Sequence, residues 1–176
     1  MPDSDERQMI LIATGADRPG VLDDLSAFLN ERRATILESR VSLLRGSFAL
    51  MLLVRAHEAA LKKIADDLGN LELAARLRAE LRPVVEANVP PVTPMRLRAR
   101  GCDPAAAVHR LSHLMRVLNV NIHDVQTDTT ESSLGERRFE LEMDLDVPRA
   151  TPVIMLKQYL NGLADELKME CVLTAL

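Results

Sequence analysis

The residues of this chain best suited to chemistry lie in one short run, Asp17-Arg18-Pro19-Gly20, between an apolar segment and a helical stripe. Proline pre-sets φ for a first helical turn, and a glycine lets a ligand approach the backbone closely. The free amides around Gly20, Val21 and Leu22 can bind a carboxylate without any charged side chain. Asp17, or a carbonyl of the turn, can accept from an ammonium group. Together these groups suit a zwitterion, with a carboxylate at one end and an ammonium at the other. The competing reading is that Asp17 caps the helix, Pro19 and Gly20 shape the turn, and nothing binds.

Other constellations carry less. His109 and His113 stand at i, i+4, with His123 and Asp124 further on. That spacing can chelate a metal, but no third ligand is close in sequence and both histidines border an apolar stripe, so they read as solvent-edge residues. Thr127–Ser133 (TDTTESS) holds hydroxyls and acids without a base–nucleophile arrangement, so no catalytic residue is assigned. Arg32-Arg33 with Arg40, and Arg76, Arg78 and Arg82, are basic clusters among many acids and read as solvated faces. Cys102 and Cys171 have no metal-type spacing and read as reduced thiols. Neither a metal nor a cofactor is expected.

Composition narrows the class. Of 176 residues, 47% are hydrophobic and 27% charged, which is globular and not disordered. A net charge of −4 leaves no basic footprint for nucleic acid. One Tyr, three Phe and no Trp leave almost nothing on which bases could stack. No segment reaches the ~18 apolar residues of a membrane span. The opening MPDSDERQ suits neither a secretory signal nor a transit peptide, so the expected location is the cytoplasm.

The elements around the turn follow from periodicity. Gln8–Gly15 reads as a strand, Val21 to about Arg32 as a helix, and Thr35–Leu44 and Ser47–Arg55 as strands joined by Arg45-Gly46. A charged, Ala-rich helix starts near His57. Asn70–Arg82 is dominated by Ala, Leu, Arg and Glu, which predicts mostly helix, with a last strand near Leu81–Glu86. The triple-proline stretch 88–94 (NVPPVTP) reads as a linker between a first domain at 1–87 and a second at 95–176.

The second half repeats the order. Met9–Ile36 lies over Met95–Ile122 without a gap, at the constant offset of 86 residues that separates Met9 from Met95. A period that long is one small domain duplicated. Arg96–Arg100 predicts a strand, Ala105–Leu118 a helix, Asn121–Thr129 a strand and 130–136 a loop. Arg138–Val147 alternates apolar with acidic residues as a strand with one face in water; a helix from Thr151-Pro152 to Leu167 and a strand at Glu170–Thr174 follow. Each half is therefore β-α-β-β-α-β, an antiparallel sheet with two helices on one face. Ser47–Arg55 is apolar on both sides, through Phe48, Leu50, Leu52 and Val54 and also Ala49, Met51 and Leu53. Something beyond its own helices, the other domain or a second chain, is expected to cover that second side.

These residues resemble an ACT domain in tandem, and more narrowly the glycine cleavage system transcriptional repressor family. The carriers are Thr14-Gly15-Ala16-Asp17-Arg18-Pro19-Gly20-Val21, then Asn121-Ile122, Phe139, Val147-Pro148 and Leu160–Leu167. The resemblance implies two ferredoxin-like α+β domains and a regulatory protein, not an enzyme. It would bind an amino acid or similar metabolite between ACT units and signal through protein contacts or self-association, without a DNA-binding helix of its own. The ligand-binding residues so implied are Asp17, Arg18, Pro19, Gly20, Val21 and Leu22 with Thr35 in the first half, and Asp103, Asn121 and Ile122 in the second. The halves divide the family pattern. The first has Thr35 where an ACT domain often places Asn, and the second has Asp103-Pro104-Ala105-Ala106 in place of the glycine turn. A composite site would account for this division, and so would decay of binding.

Overall fold

In a computed structural model the chain divides into two units, Met1–Ala87 and Asn88–Leu176. The structure describes residues 5–85, 90–101, 104–131 and 137–176. The first unit runs β1 (Glu6–Ala16), α1 (Val21–Glu31), β2 (Thr35–Leu44), β3 (Ser47–His57), α2 (Glu58–Ala75) and β4 (Leu77–Pro83). Its strands form one antiparallel sheet in the order β2-β3-β1-β4. The second unit runs β5 (Val92–Gly101), α3 (Pro104–Val117), β6 (Asn121–Glu131), β7 (Arg137–Pro148), α4 (Val153–Leu167) and β8 (Glu170–Ala175), with sheet order β6-β7-β5-β8. Both are ferredoxin-like, as the duplicated pattern requires.

Period-2 alternation decides which strand face is buried. Leu11 and Ala13 of β1 and Phe48, Leu50, Leu52 and Val54 of β3 are buried under the helices. They meet Leu25 and Leu29 of α1 and Ile64 of α2 in one core. The second core repeats this with Leu97, Met143, Leu145, Leu111 and Leu156. Apart from Ala13, each such side chain contributes roughly 1.5–3 kcal/mol by leaving water. The β2–β3 hairpin closes through Arg45 (φ 46°) and Gly46 (φ 79°), a pair of positive φ values that matches strand twist. The bulge between Ile36 and Glu38 in β2 recurs between Ile122 and Asp124 in β6, at the same place in the repeat.

Three expectations change. Residues 70–82 are not mostly helix: α2 ends at Ala75, Arg76 turns through φ 54°, and β4 begins at Leu77. Pairing with β1, from Gly15↔Leu77 to Met9↔Pro83, overrides the local helix propensity, and Glu72 Oε1 accepts from the Ala79 amide at 2.8 Å. The strand expected near Leu81–Glu86 thus starts four residues earlier, and Glu86 lies outside the described residues. In the second unit, Thr130 and Glu131 extend β6, with 132–136 outside the described residues, and Val92–Pro94 already belong to β5.

Arg32 is the third. Its side chain is only 14% exposed and is not a solvated charge. It forks onto Asp67 of α2 at 3.0 and 2.8 Å, donates to the Phe28 carbonyl at 2.9 Å, and lies 3.7 Å above the Phe28 ring. A cation at the C-cap of α1 also complements that helix's dipole while tying α1 to α2.

The sheet faces away from the helices differ between units. In the second, Arg96 forks onto Asp144 at 2.7 and 2.9 Å and reaches Glu142 at 3.1 Å, Arg98 meets Glu142 at 2.7 Å, and Arg100 meets Glu140 at 3.2 Å. The acidic side of β7 therefore rests on a ladder of cross-strand ion pairs and not on water alone. The Arg96 hydrogen bonds hold the Asp144 carboxyl below its ordinary range. A depressed folded-state value adds stability above the unfolded value of about 3.9, which is lost as pH falls through the folded one. Arg96→Met is expected to melt at a lower temperature than the parent at neutral pH. The gap should narrow below about pH 4 in circular-dichroism melts. A gap that stays constant into strong acid would exclude the pair as its cause.

Candidate functional site

The register of β1 against β3 brings the turn and the hairpin together. Gly15 stands opposite Phe48, Ala16 opposite Ser47, and the Asp17 amide donates to the Gly46 carbonyl at 2.8 Å. Gly15 is a place of close approach: a β-carbon there would lie 3.0 Å from the Phe48 ring and 3.2 Å from Leu77 Cβ. The chain then reverses through Asp17–Gly20 and enters α1 at Val21.

Gly20 is the N-cap of α1, at φ 89°, and no side chain caps the helix. Asp17 therefore does not play the capping role that competed with ligand binding. The first intrahelical bond at this end runs from the Asp24 amide to the Gly20 carbonyl at 2.9 Å, which leaves the Val21, Leu22 and Asp23 amides without an i−4 partner inside the helix. They border a cleft of about 200 Å³. Asp17, Arg18, Gly20, Val21 and Leu22 form its polar side, and Val41, Leu43, Phe48 and Leu50 its apolar wall. Leu22, Val41 and Leu43 are exposed, so the cleft opens to solvent along the edge strand β2.

Arg18 lines the cleft but its guanidinium is engaged. Nη2 donates to Asp24 and, at 3.2 Å, to the Ala75 carbonyl at the end of α2, while Nη1 donates to the Pro19 carbonyl at 3.2 Å. It braces the turn against both helices and offsets one of the two acids, Asp23 and Asp24, in the first turn of α1. Chemically, the cleft offers backbone donors for a carboxylate, the exposed Asp17 carboxylate for an ammonium, and an apolar wall for a side chain. It is smaller than the ~300–1,000 Å³ of drug-sized ligand sites.

The other expected residues fall elsewhere. Thr35 opens β2 opposite Arg55, whereas Leu43, eight residues on, is the part of β2 at the cleft. At roughly 3.4 Å per residue that places Thr35 some 25 Å from the turn of its own unit. Asn121 opens β6, opposite Asp146, and donates to its carboxylate at 3.2 Å; Ile122 packs against the second core. Asp103 lies outside the described residues. The second unit has no counterpart of the glycine turn: α3 already starts at Pro104, the position aligned with Arg18, whereas α1 starts three residues later in the repeat. Without a glycine at positive φ to stop it, the helix extends back to a proline at its first position.

Val41, Leu43, Phe48 and Leu50, which wall the cleft, are not among the residues expected from the sequence. Phe48 and Leu50 looked like core alone. The alternation of Val41 and Leu43 at the end of β2, beside the hairpin, was a usable signal. Other hollows include ones of about 320 and 370 Å³, over Arg98–Glu142 and beside Arg76–Arg78. In the first the arginines are held by ion pairs, and neither adjoins the start of a helix. His109 and His113 face each other at 6.2 Å between ring centroids, and among the described residues no three metal-ligating side chains cluster. Cys171 is half-buried, and burial pushes its thiol up, away from reactivity.

Two glycines should respond oppositely to alanine. Gly20→Ala places a side chain in a left-handed conformation and is expected to cost about 1–2 kcal/mol. Gly69→Ala, inside α2 with open space around its Cβ, should add up to about 1 kcal/mol. Urea denaturation of both variants measures the sign and size.

Residues 7–82 match the sequence model of the ACT domain family. No curated protein matches the chain in sequence. Among solved structures, an unknown protein from Galdieria sulphuraria is similar at 20% identity with a TM-score of 0.83, over 97% of this chain and 99% of that one. A crystal structure provisionally named a glycine cleavage system transcriptional repressor is similar at 13% identity with a TM-score of 0.75, over 97% and 98%. Both likenesses extend across the two units and show a shared fold. Among the described residues, no helix is long and apolar enough to cross a membrane.

Proposed function

We propose that the protein is a non-catalytic, cytoplasmic regulator that binds an amino acid at the Asp17–Leu22 turn, because residues 7–82 match the sequence model of the ACT domain family and the second unit repeats the fold of the first. The observation that carries this reading is the uncapped start of α1 beside an apolar wall. A ligand carboxylate on the Val21–Asp23 amides gains from the helix dipole, and its ammonium group sits with Asp17. Its side chain lies against Val41, Leu43 and Phe48. Arg18 is a positioning residue, which keeps the turn fixed and relieves the acidic first turn of α1.

The output is protein contact. Regulation of amino-acid metabolism, glycine cleavage and its transcription included, is supported by the likeness to the provisionally named repressor. The net charge of −4 argues against direct contact with nucleic acid. A second reading, an interaction module with a vestigial site, is favoured by one feature: the second unit has replaced the glycine turn with helix.

Thermal shift against the twenty amino acids separates the two. At 100-fold excess over Kd a ligand should add about 2.7 kcal/mol of stability. Leu43→Glu, a change at an exposed wall residue, should abolish the response while leaving the unliganded melting temperature nearly unchanged. Silence from all twenty would favour the interaction module.

A further inference from the structure

The outer face of the first sheet carries a pattern that its amino-acid cleft does not use. Two adjacent rows run straight across all four strands from β2 to β4. One is Glu38–Leu53–Ile10–Arg82, and the next is Arg40–Met51–Ile12–Glu80. Each row has two apolar residues on the inner strands and opposite charges at its ends, and the sign order reverses between rows. The result is a two-by-two apolar patch with alternating charges at its four corners. Met51 is 48% exposed, and Ile10, Ile12 and Leu53 are only half-buried. The same face of the second unit is the Arg–acid ladder, so an apolar patch is not a requirement of the fold.

An alternating quartet of charges is complementary to itself. Laid face to face about a two-fold axis along the strands, Arg40 meets the other copy's Glu80, and Glu38 meets its Arg82. About an axis across the strands, Arg40 meets Glu38 and Glu80 meets Arg82. Every contact is attractive in both cases, and the apolar residues meet one another: Leu53 on Ile10 and Met51 on Ile12 about the first axis, Leu53 on Met51 and Ile10 on Ile12 about the second. We propose that this face binds a second copy of the same chain, sheet against sheet, about such an axis. Four strands spaced about 4.8 Å, paired over some eight residues, make a face of roughly 500 Å². Two such faces bury on the order of 1,000 Å², the lower bound for a specific interface. Glu80 and Arg82 are already hydrogen-bonded to each other at 2.7 and 2.8 Å, but that pair is exposed and can exchange partners at little cost.

Sedimentation equilibrium of the full chain, without added ligand, tests this independently of the amino-acid reading. The expected mass is twice 19.5 kDa, with dissociation in the micromolar range or tighter. Met51→Glu puts an unpaired charge in the patch and should weaken association by about 100-fold. Glu80→Arg opposes like charges about either axis and should weaken it at least ~10-fold. A compensating change should then restore it: Arg40→Glu if the axis runs along the strands, Arg82→Glu if it runs across them. Circular dichroism checks that each variant folds; all four positions are exposed. A monomer up to ~100 µM would overturn the proposal. So would a dimer indifferent to Met51→Glu and Glu80→Arg, or a Glu80→Arg defect that neither second change repairs.

Discussion

The antiparallel register of β1 against β3 is the constraint on which the first unit depends. It sets Leu11 and Ala13 beside Leu50 and Leu52 to make the core. It brings the end of β1 to the start of β3, so that the Asp17 turn rests on the hairpin through the Gly46 carbonyl. Because strand side chains alternate, the same register also aligns Ile10 and Ile12 with Leu53 and Met51 on the opposite face. Core, cleft and outer patch are three consequences of one pairing. A slip of one residue would exchange the buried and exposed sets and remove all three together.

Arginines do much of the local positioning. Arg32 joins α1 to α2 through Asp67 and the Phe28 ring, and Arg18 joins the turn to Asp24 and to the end of α2. Both rest on carbonyls at helix ends as well as on carboxylates, so dipole and charge act in the same direction. The planar guanidinium offers five donors in a rigid fork, against three on the compact ammonium of a lysine, so one side chain reaches a carboxylate and a carbonyl set apart in space. Their effect on the site is indirect: they hold the uncapped start of α1 in place without occupying it.

The duplication preserved the scaffold and released the surfaces. Sheet order, the bulge and the residues at positive φ after the first helix of each unit, Arg33 and Asn119, recur at equivalent positions. The glycine turn and the apolar outer face do not. Gly20 interrupts helix propagation and leaves amides exposed, whereas Pro104 starts a helix at once. The apolar patch of one sheet is replaced by a charge ladder on the other. These differences are confined to places where backbone pairing imposes nothing on side-chain chemistry.

The sequence by itself determined a great deal. Period-2 and period-3.6 patterns, Gly46, Pro19 and the 86-residue repeat (Met9 to Met95) sufficed for element order, fold class and the turn. These are local signals, and local physics reads them. Tertiary structure decided the rest. Leu77–Pro83 is a strand because β1 pairs with it, against its own helix propensity. Arg32 is part-buried because Asp67 comes to it from 35 residues away. Thr35, expected at a ligand site only through the family resemblance, stands at the other end of the sheet from Asp17, and the wall of the cleft beside Asp17 comes from Val41, Leu43 and Phe48. Contacts between residues distant in the chain carry no periodic signature, so only the folded sheet could choose among them.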